Sequence, residues 1–256
     1  RWRLRGFRGR RRLLWRRRRR EILNMARMTV DGFAGRIADA VGSRLVTLLV
    51  YGSAARDPAK DTSVNTLLLT DSVDDALFGG LAAPVRDWLR AGHPPPLILT
   101  EREWREAADA FPIEYEDIRD AHRILAGRDP WAGVTVQREH VRRQLEHELM
   151  GKLVHLRQAY AAYWEDPKRL ADALRGTAAG FFTMLRAVLR LAGRTPPAGA
   201  PDVLRDAART IGFTADGLER LAGPVKLAPR DPLPAAYLRA LARTADYVNR
   251  MERTSS

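Results

Sequence analysis

The sequence predicts two domains of different class: an α/β (α+β) domain with a short mixed sheet, followed by an all-α helical bundle. Short apolar runs rich in Val and Leu alternate with helical patterns in the first half of the chain. After residue 137 the apolar residues recur only at helical spacing, and no strand pattern occurs. An apolar fraction of 45% in 256 residues is enough to build a core in each domain.

Apolar periodicity and turn residues predict the elements of the first domain. The first helix is typical, since Phe33, Ile37 and Val41 recur at i, i+4 and i+8 before Gly42. The predicted order begins with a helix over 29–43, a strand at RLVTLLVYG, a polar loop over 52–63 and a strand over 64–70. It continues with a helix at SVDDALFGGLAAPVRDWLRAG with Ser72 as its cap, a strand at PPLILT and a helix at TEREWREAADAF with Thr100 as its cap. A strand at PIEYEDI and a strand and turn at AHRILAGRDPW complete it.

Long helices account for the second domain. The segment QREHVRRQLEHELMGKLVHLRQAYAAYW has apolar residues at 141, 145, 149, 153, 156, 160 and 164, which is helical spacing over many turns. Further helices are predicted over 167–192, 200–211, 214–223 and 233–252, with prolines between them. We therefore expect an extension over 1–28, an α/β domain over 29–133 and a helical bundle over 137–253.

The positive charge of the chain is concentrated at its start. Residues 1–24 hold twelve arginines and one glutamate, whereas the rest of the chain holds 32 basic and 30 acidic side chains. One interpretation is a disordered extension, or translated GC-rich DNA upstream of a start at Met25 or Met28. The other is a nucleic-acid-binding arm in which the arginines bind phosphates and Trp2, Phe7 and Trp15 stack on bases. Apart from this arm, we expect no nucleic-acid partner.

Composition excludes several classes of protein. The chain has no cysteine, which excludes disulfides, thiolate zinc sites and cysteine nucleophiles. Every apolar run is shorter than the roughly 18 residues that a membrane span needs. We therefore expect a cytoplasmic protein without a membrane partner.

The order of motifs in the first domain resembles the nucleotidyltransferase superfamily of the polymerase-beta type. The resemblance rests on the strand TLLVYGS, the loop AARDPAKDTS, the strand VNTLLLT and the later acidic segment PIEYEDI, and the helical half resembles the bundles that often follow this domain. It covers about residues 29–130, and within the superfamily the chain looks like a small bacterial member with a degraded motif. It implies Mg²⁺ and a nucleoside triphosphate, with Gly52 and Ser53 beside the triphosphate.

The residues that would hold metal differ from the family pattern. Nucleotidyl transfer uses two magnesium ions about 3.5–4 Å apart, held by carboxylates that point to one face of a strand. The family's two aspartates stand at a set spacing after the glycine of the Gly-Ser turn. Counted from Gly52 without a gap, these positions are Val64 and Thr66. With a one-residue deletion in the loop they are Ser63 and Asn65. Neither pair supplies a carboxylate, so these are the positions of lost aspartates.

Three remaining acids could serve as ligands. Glu114 falls where the family has its third carboxylate, Glu116 lies on the same predicted strand face, and Asp61 lies in the loop. The structural alternative is that Glu114 and Glu116 line a solvated strand edge, and that Gly52 makes a tight turn before a helix capped by Ser53.

These observations predict a nucleotidyltransferase-like protein with weak or no catalysis, residual nucleotide binding, and Mg²⁺ only if it is active. The alternative is a non-enzymatic interaction or regulatory module that binds a protein partner through its helical half.

Overall fold

The computed structural model describes residues 28–56 and 63–251. The arginine-rich segment before Met28 and the loop residue Asp61 lie outside these described residues. The chain divides into two compact units. The first comprises the described residues up to Trp104 together with His122–Pro130, and the second comprises Arg105–Ala121 and Trp131 onwards. Residues 105–121, which we expected in the α/β domain, therefore belong to the second unit.

The first unit contains a mixed four-stranded sheet of order β3-β2-β1-β4. Strand β1 pairs antiparallel with β2 on one side and with β4 on the other, and β2 pairs parallel with β3. The strands are β1 (Leu45–Tyr51), β2 (Asn65–Thr70), β3 (Leu97–Thr100) and β4 (His122–Gly127). The helices that begin in this unit are α1 (Val30–Val41), α2 (Ser53–Arg56), α3 (Asp75–Arg90) and α4 (Glu101–Glu106), and a 3-10 turn covers Gly42–Arg44.

One face of the sheet packs against α1 and α3. The shared core buries residues from β1, β2 and both helices, among them Phe33, Ile37, Leu48, Val50, Leu68, Leu77, Leu81 and Trp88. The apolar spacing that predicted α1 is confirmed, because Phe33, Ile37 and Val41 are its buried residues. Leu49, Leu67 and Leu69, which alternate with these core residues along the strands, are also fully buried. Burial on both faces explains why β1 and β2 read as nearly continuous apolar runs.

Local hydrogen bonds explain where two of these helices begin. Thr100 and Glu103 form a capping box at α4, since each side chain accepts from the other residue's N–H, at 3.1 and 2.7 Å. At α3 the cap is Asp74, which accepts from Leu77 N at 2.7 Å, and the cap expected at Ser72 is wrong. The bond from Leu77 and the ion pair with Arg44 lower the pKa of Asp74.

The second unit is made of helices that share one apolar core. They are α5 (Pro112–Asp120), α6 (Arg138–Ala162), α7 (Pro167–Leu191), α8 (Ala200–Ile211) and α9 (Leu233–Met251). A 3-10 turn, Leu218–Ala222, stands where we expected a helix over 214–223. The core is continuous from Val141 of α6 to Val248 of α9. Within the described ranges, no helix is both long and apolar enough to cross a bilayer.

Helix α5 corrects the strand predicted at PIEYEDI. Ile113 and Tyr115 alternate with acids as in a strand, but Ile113, Tyr115 and Ile118 are all buried on the helix. Pro112 stands in the first turn, where its fixed φ favours a helix, and Glu114 follows in the same turn, where an acid suits the helix dipole. Glutamate is also depleted in strands.

An ion pair between the partly exposed Arg220 and the buried carboxylate of Asp231 should stabilise the segment before α9. Arg220 donates two hydrogen bonds of 2.9 Å to Asp231, which lowers the pKa of Asp231 from 3.8 to about 2. A depressed carboxyl pKa adds stability above the unfolded-state pKa near 4, and that stability is lost as the pH falls through about 2. Asp231→Asn should therefore lower the free energy of unfolding by about 2 kcal/mol at pH 7 in urea titrations.

Asp246→Asn is the matched control, because this carboxylate is 63% exposed and lies 4.0 Å from Arg250. We expect Asp246→Asn to change the free energy of unfolding by less than about 0.5 kcal/mol. Equal stability of the two variants at pH 7 would contradict the assignment of Asp231.

Candidate functional site

The ends of three strands meet at one edge of the sheet. Tyr51, the last residue of β1, pairs with Asn65 at the start of β2 and with His122 at the start of β4. The Gly52–Ser53 turn leaves the sheet at this edge, beside the first residue of β2. Because β1 has a neighbour on each side, the turn follows a central strand.

Gly52 has a conformation that other residues rarely adopt. Its φ is +79°, and its carbonyl accepts from Ala55 N and Arg56 N, both at 3.2 Å, which starts helix α2 at Ser53. The side-chain nitrogen Nδ2 of Asn65 lies 3.7 Å from the point that a Cβ on Gly52 would occupy. The turn is thus tight and places the Asn65 side chain directly beside it.

The two candidate pairs, Val64 with Thr66 and Ser63 with Asn65, point to opposite faces at the start of β2. Successive residues of a strand point to opposite faces. Val64 and Thr66 are 0% and 1% exposed, and Val64 packs in the core with the helices of the first unit. Ser63 is exposed and Asn65 is partly buried. Ser63 and Asn65 are therefore the pair that solvent and ligands can reach.

His93 supports this edge through a hydrogen bond, a role that no pattern in the sequence indicated. Its Nδ1 accepts a hydrogen bond from Val64 N at 3.2 Å, between the two candidate residues Ser63 and Asn65. The His93 ring lies 3.9 Å from the ring of Trp88, which stacks at 4.2 Å on Phe33. Because Nδ1 is an acceptor here, His93 holds the start of β2 only while that nitrogen carries no proton.

Glu114 and Glu116 lie on helix α5 in the second unit and not on a strand. The prediction that Glu114 and Glu116 lie on one face of a strand is therefore wrong. Glu114 accepts a hydrogen bond from Gln144 Nε2 at 2.8 Å. Glu116 lies 3.9 Å from Arg190, and burial raises the pKa of Glu116 despite that cation.

The donor set at the sheet edge does not fit a two-magnesium centre. None of the four strands carries an aspartate or a glutamate, and Ser63 and Asn65 offer only neutral oxygens. Among the residues that the structure describes, no group of three His, Asp or Glu side chains could hold a metal ion. Magnesium pairs in proteins are held by carboxylates.

Comparison with known proteins supports the fold. The structure is similar to a crystal structure of a spectinomycin adenyltransferase from Enterococcus faecialis, with a TM-score of 0.54 and 10% sequence identity. The match covers 83% of this chain and 96% of that chain. No protein-family model matches the sequence, and no curated protein matches it. The chain therefore has a nucleotidyltransferase-like fold, with a mixed four-stranded sheet and many helices.

The conformation of Gly52 can be tested by stability. Gly52→Ala forces a Cβ into a left-handed backbone position and should lower the free energy of unfolding by about 1–2 kcal/mol in urea titrations. Gly35→Ala is the matched control, because Gly35 is exposed within α1 and its added Cβ has no atom within 4 Å apart from its chain neighbours and the backbone of its own helix. That change should raise stability by about 0.5–1 kcal/mol. If both variants changed the free energy of unfolding in the same direction, the result would contradict the turn geometry.

Proposed function

We propose that this protein binds a nucleoside triphosphate at the Gly52–Ser53 turn and has weak or no nucleotidyltransferase activity. The single observation that carries the proposal is the neutral, accessible pair Ser63 and Asn65 beside a glycine turn with positive φ. The turn can receive phosphate oxygens, whereas the pair cannot hold two divalent cations.

The turn supplies the groups that a phosphate needs. Gly52 is itself buried and makes the tight turn, and Ser53 offers an exposed hydroxyl at the start of α2. The side-chain amide of Asn65 adds a donor beside Gly52. The nucleotide itself is inferred from the adenyltransferase of similar fold, whose crystal structure contains ATP and spectinomycin.

We place the lost aspartates at Ser63 and Asn65. Val64 and Thr66 point into the core, where a charged carboxylate would be desolvated. Glu114 is then the one acid left of the family pattern, and it lies on helix α5 and not on a strand beside the pair. A single carboxylate cannot organise two magnesium ions, so any activity would be low.

A protein-interaction module remains the second candidate function. Helix α6 exposes Met150 and Val154, which are 48% and 43% accessible and lie one helical turn apart. This apolar surface on the second unit favours a protein partner. In that case the sheet edge would have no ligand.

Thermal unfolding in the presence of ATP distinguishes nucleotide binding from the protein-interaction module. Ligand that binds only the folded state raises the unfolding temperature by mass action. We expect ATP to raise Tm by a few degrees at 10–100 times Kd, roughly equally in Mg²⁺ and in EDTA. No shift in either buffer would refute nucleotide binding and favour the interaction module. A shift that requires Mg²⁺ would show that a metal site exists.

Restoring the carboxylates tests their positions. The double variant Ser63→Asp with Asn65→Asp should gain measurable Mg²⁺ binding by calorimetry in the presence of ATP, because two acids then share one strand face. The matched control, Val64→Asp with Thr66→Asp, buries both charges and should lower Tm without binding Mg²⁺. If the control gains the metal site instead, our placement of the lost aspartates is incorrect.

A further inference from the structure

A small cavity lies where the end of α6, the start of α7 and the segment before α9 come together in the second unit. Its volume is about 260 Å³. Aromatic and aliphatic side chains form most of its wall, namely Tyr160, Trp164, Pro167, Leu170, Leu227 and Pro234. The cavity belongs entirely to the second unit, so it is separate from the sheet edge that holds Gly52.

Trp164 departs from the expected burial pattern of α6. Helical spacing places it in line with the buried residues of that helix, yet it follows the last helical turn and is 60% exposed. Its ring centroid lies 5.1 Å from that of Tyr160 at an interplanar angle of 50°. The two rings therefore offer an accessible aromatic surface at the cavity.

An arginine with a strained backbone also lines this cavity. Asp231 N donates to the carbonyl of Ala228 at 3.1 Å, which closes a turn with Pro229 second and Arg230 third. Arg230 has a φ of +60°, and no other non-glycine residue in the described ranges has a positive φ. Proline second with positive φ third is the pattern of a type II turn, where glycine is favoured third. Strain of this kind is characteristic of functional positions.

Several hydrogen bonds hold the turn, and its two charged side chains differ in their partners. Asp231 accepts from Arg220 and from the backbone N–H of Ala228 and Leu233, at 3.3 and 3.0 Å, so its charge is balanced. Arg230 has no hydrogen-bond or ion-pair partner among residues 28–56 and 63–251. The cavity therefore carries one uncompensated positive charge on a hydrogen-bonded turn.

We propose that this cavity binds a small planar aromatic compound with a carboxylate or phosphate group. The ring lies against Trp164 and Tyr160, and the anion pairs with the guanidinium of Arg230. Arginine binds either anion through parallel N–H groups, and the volume suits a compound of one or two rings. The site is independent of the proposed nucleotide binding, because it uses none of the residues of the first unit.

Binding of indole-3-acetate and of its neutral amide, indole-3-acetamide, to the full chain tests the proposal by saturation-transfer NMR. We expect the acid to bind and the amide to bind at least about tenfold more weakly, since the ion pair with Arg230 is lost. Trp164→Ala should abolish binding of the acid without a loss of fold, because that side chain is mostly exposed.

Two further variants separate binding from stability. Arg230→Gly removes the charge and relieves the backbone strain, so it should weaken binding about tenfold without lowering Tm. Arg239→Gln is the matched control, because Arg239 is exposed in the same unit but lines a different cavity, and binding should not change. The proposal is overturned if the acid does not bind at about 10 mM, if acid and amide bind equally, or if Trp164→Ala binds normally.

Discussion

The pairing of Tyr51 with Asn65 determines which side chains at the sheet edge are available for chemistry. Once this pair is aligned, Val64 and Thr66 must point into the core beneath the helices, and Ser63 and Asn65 must point away from it. A slip of one residue would exchange the two sets and bury polar groups. The apolar core of the first unit therefore fixes the chemistry at its edge, and that edge has neutral groups where a metal-dependent transferase needs acids.

Parts of this arrangement were predictable because they depend on local patterns. The strands at the Gly52 turn are long apolar runs, and helix α1 has three core residues at exact helical spacing. Helix α5 was not predictable in the same way, because Ile113 and Tyr115 alternate with acids over a short segment and imitate a strand. Only tertiary packing distinguishes the two outcomes. Likewise, His93 acts through a hydrogen bond to Val64, which is distant in sequence and leaves no local signal.

Two arginines of the second unit, Arg190 and Arg230, differ in whether nearby carboxylates balance their charge. Arg190 is mostly buried and lies near three carboxylates of α5, Glu116, Asp117 and Asp120, so its charge is compensated within the fold. Arg230 sits on a strained turn without such a partner. The ion pairs of Arg190 hold helix α5 in place. Arg230, by contrast, is an uncompensated cation in a cavity with aromatic rings, and it can bind an anionic ligand. The spacing of apolar residues in α6 could not show that its last member, Trp164, stays at the surface.

The most direct test of the central claim is an ATP titration followed by backbone amide chemical shifts, performed once in EDTA and once with Mg²⁺. Our account predicts that the amides of Gly52, Ser53 and Asn65 shift most, and that they shift to a similar extent in both buffers. Shifts that appear only with Mg²⁺, or that are confined to the second unit, would contradict it.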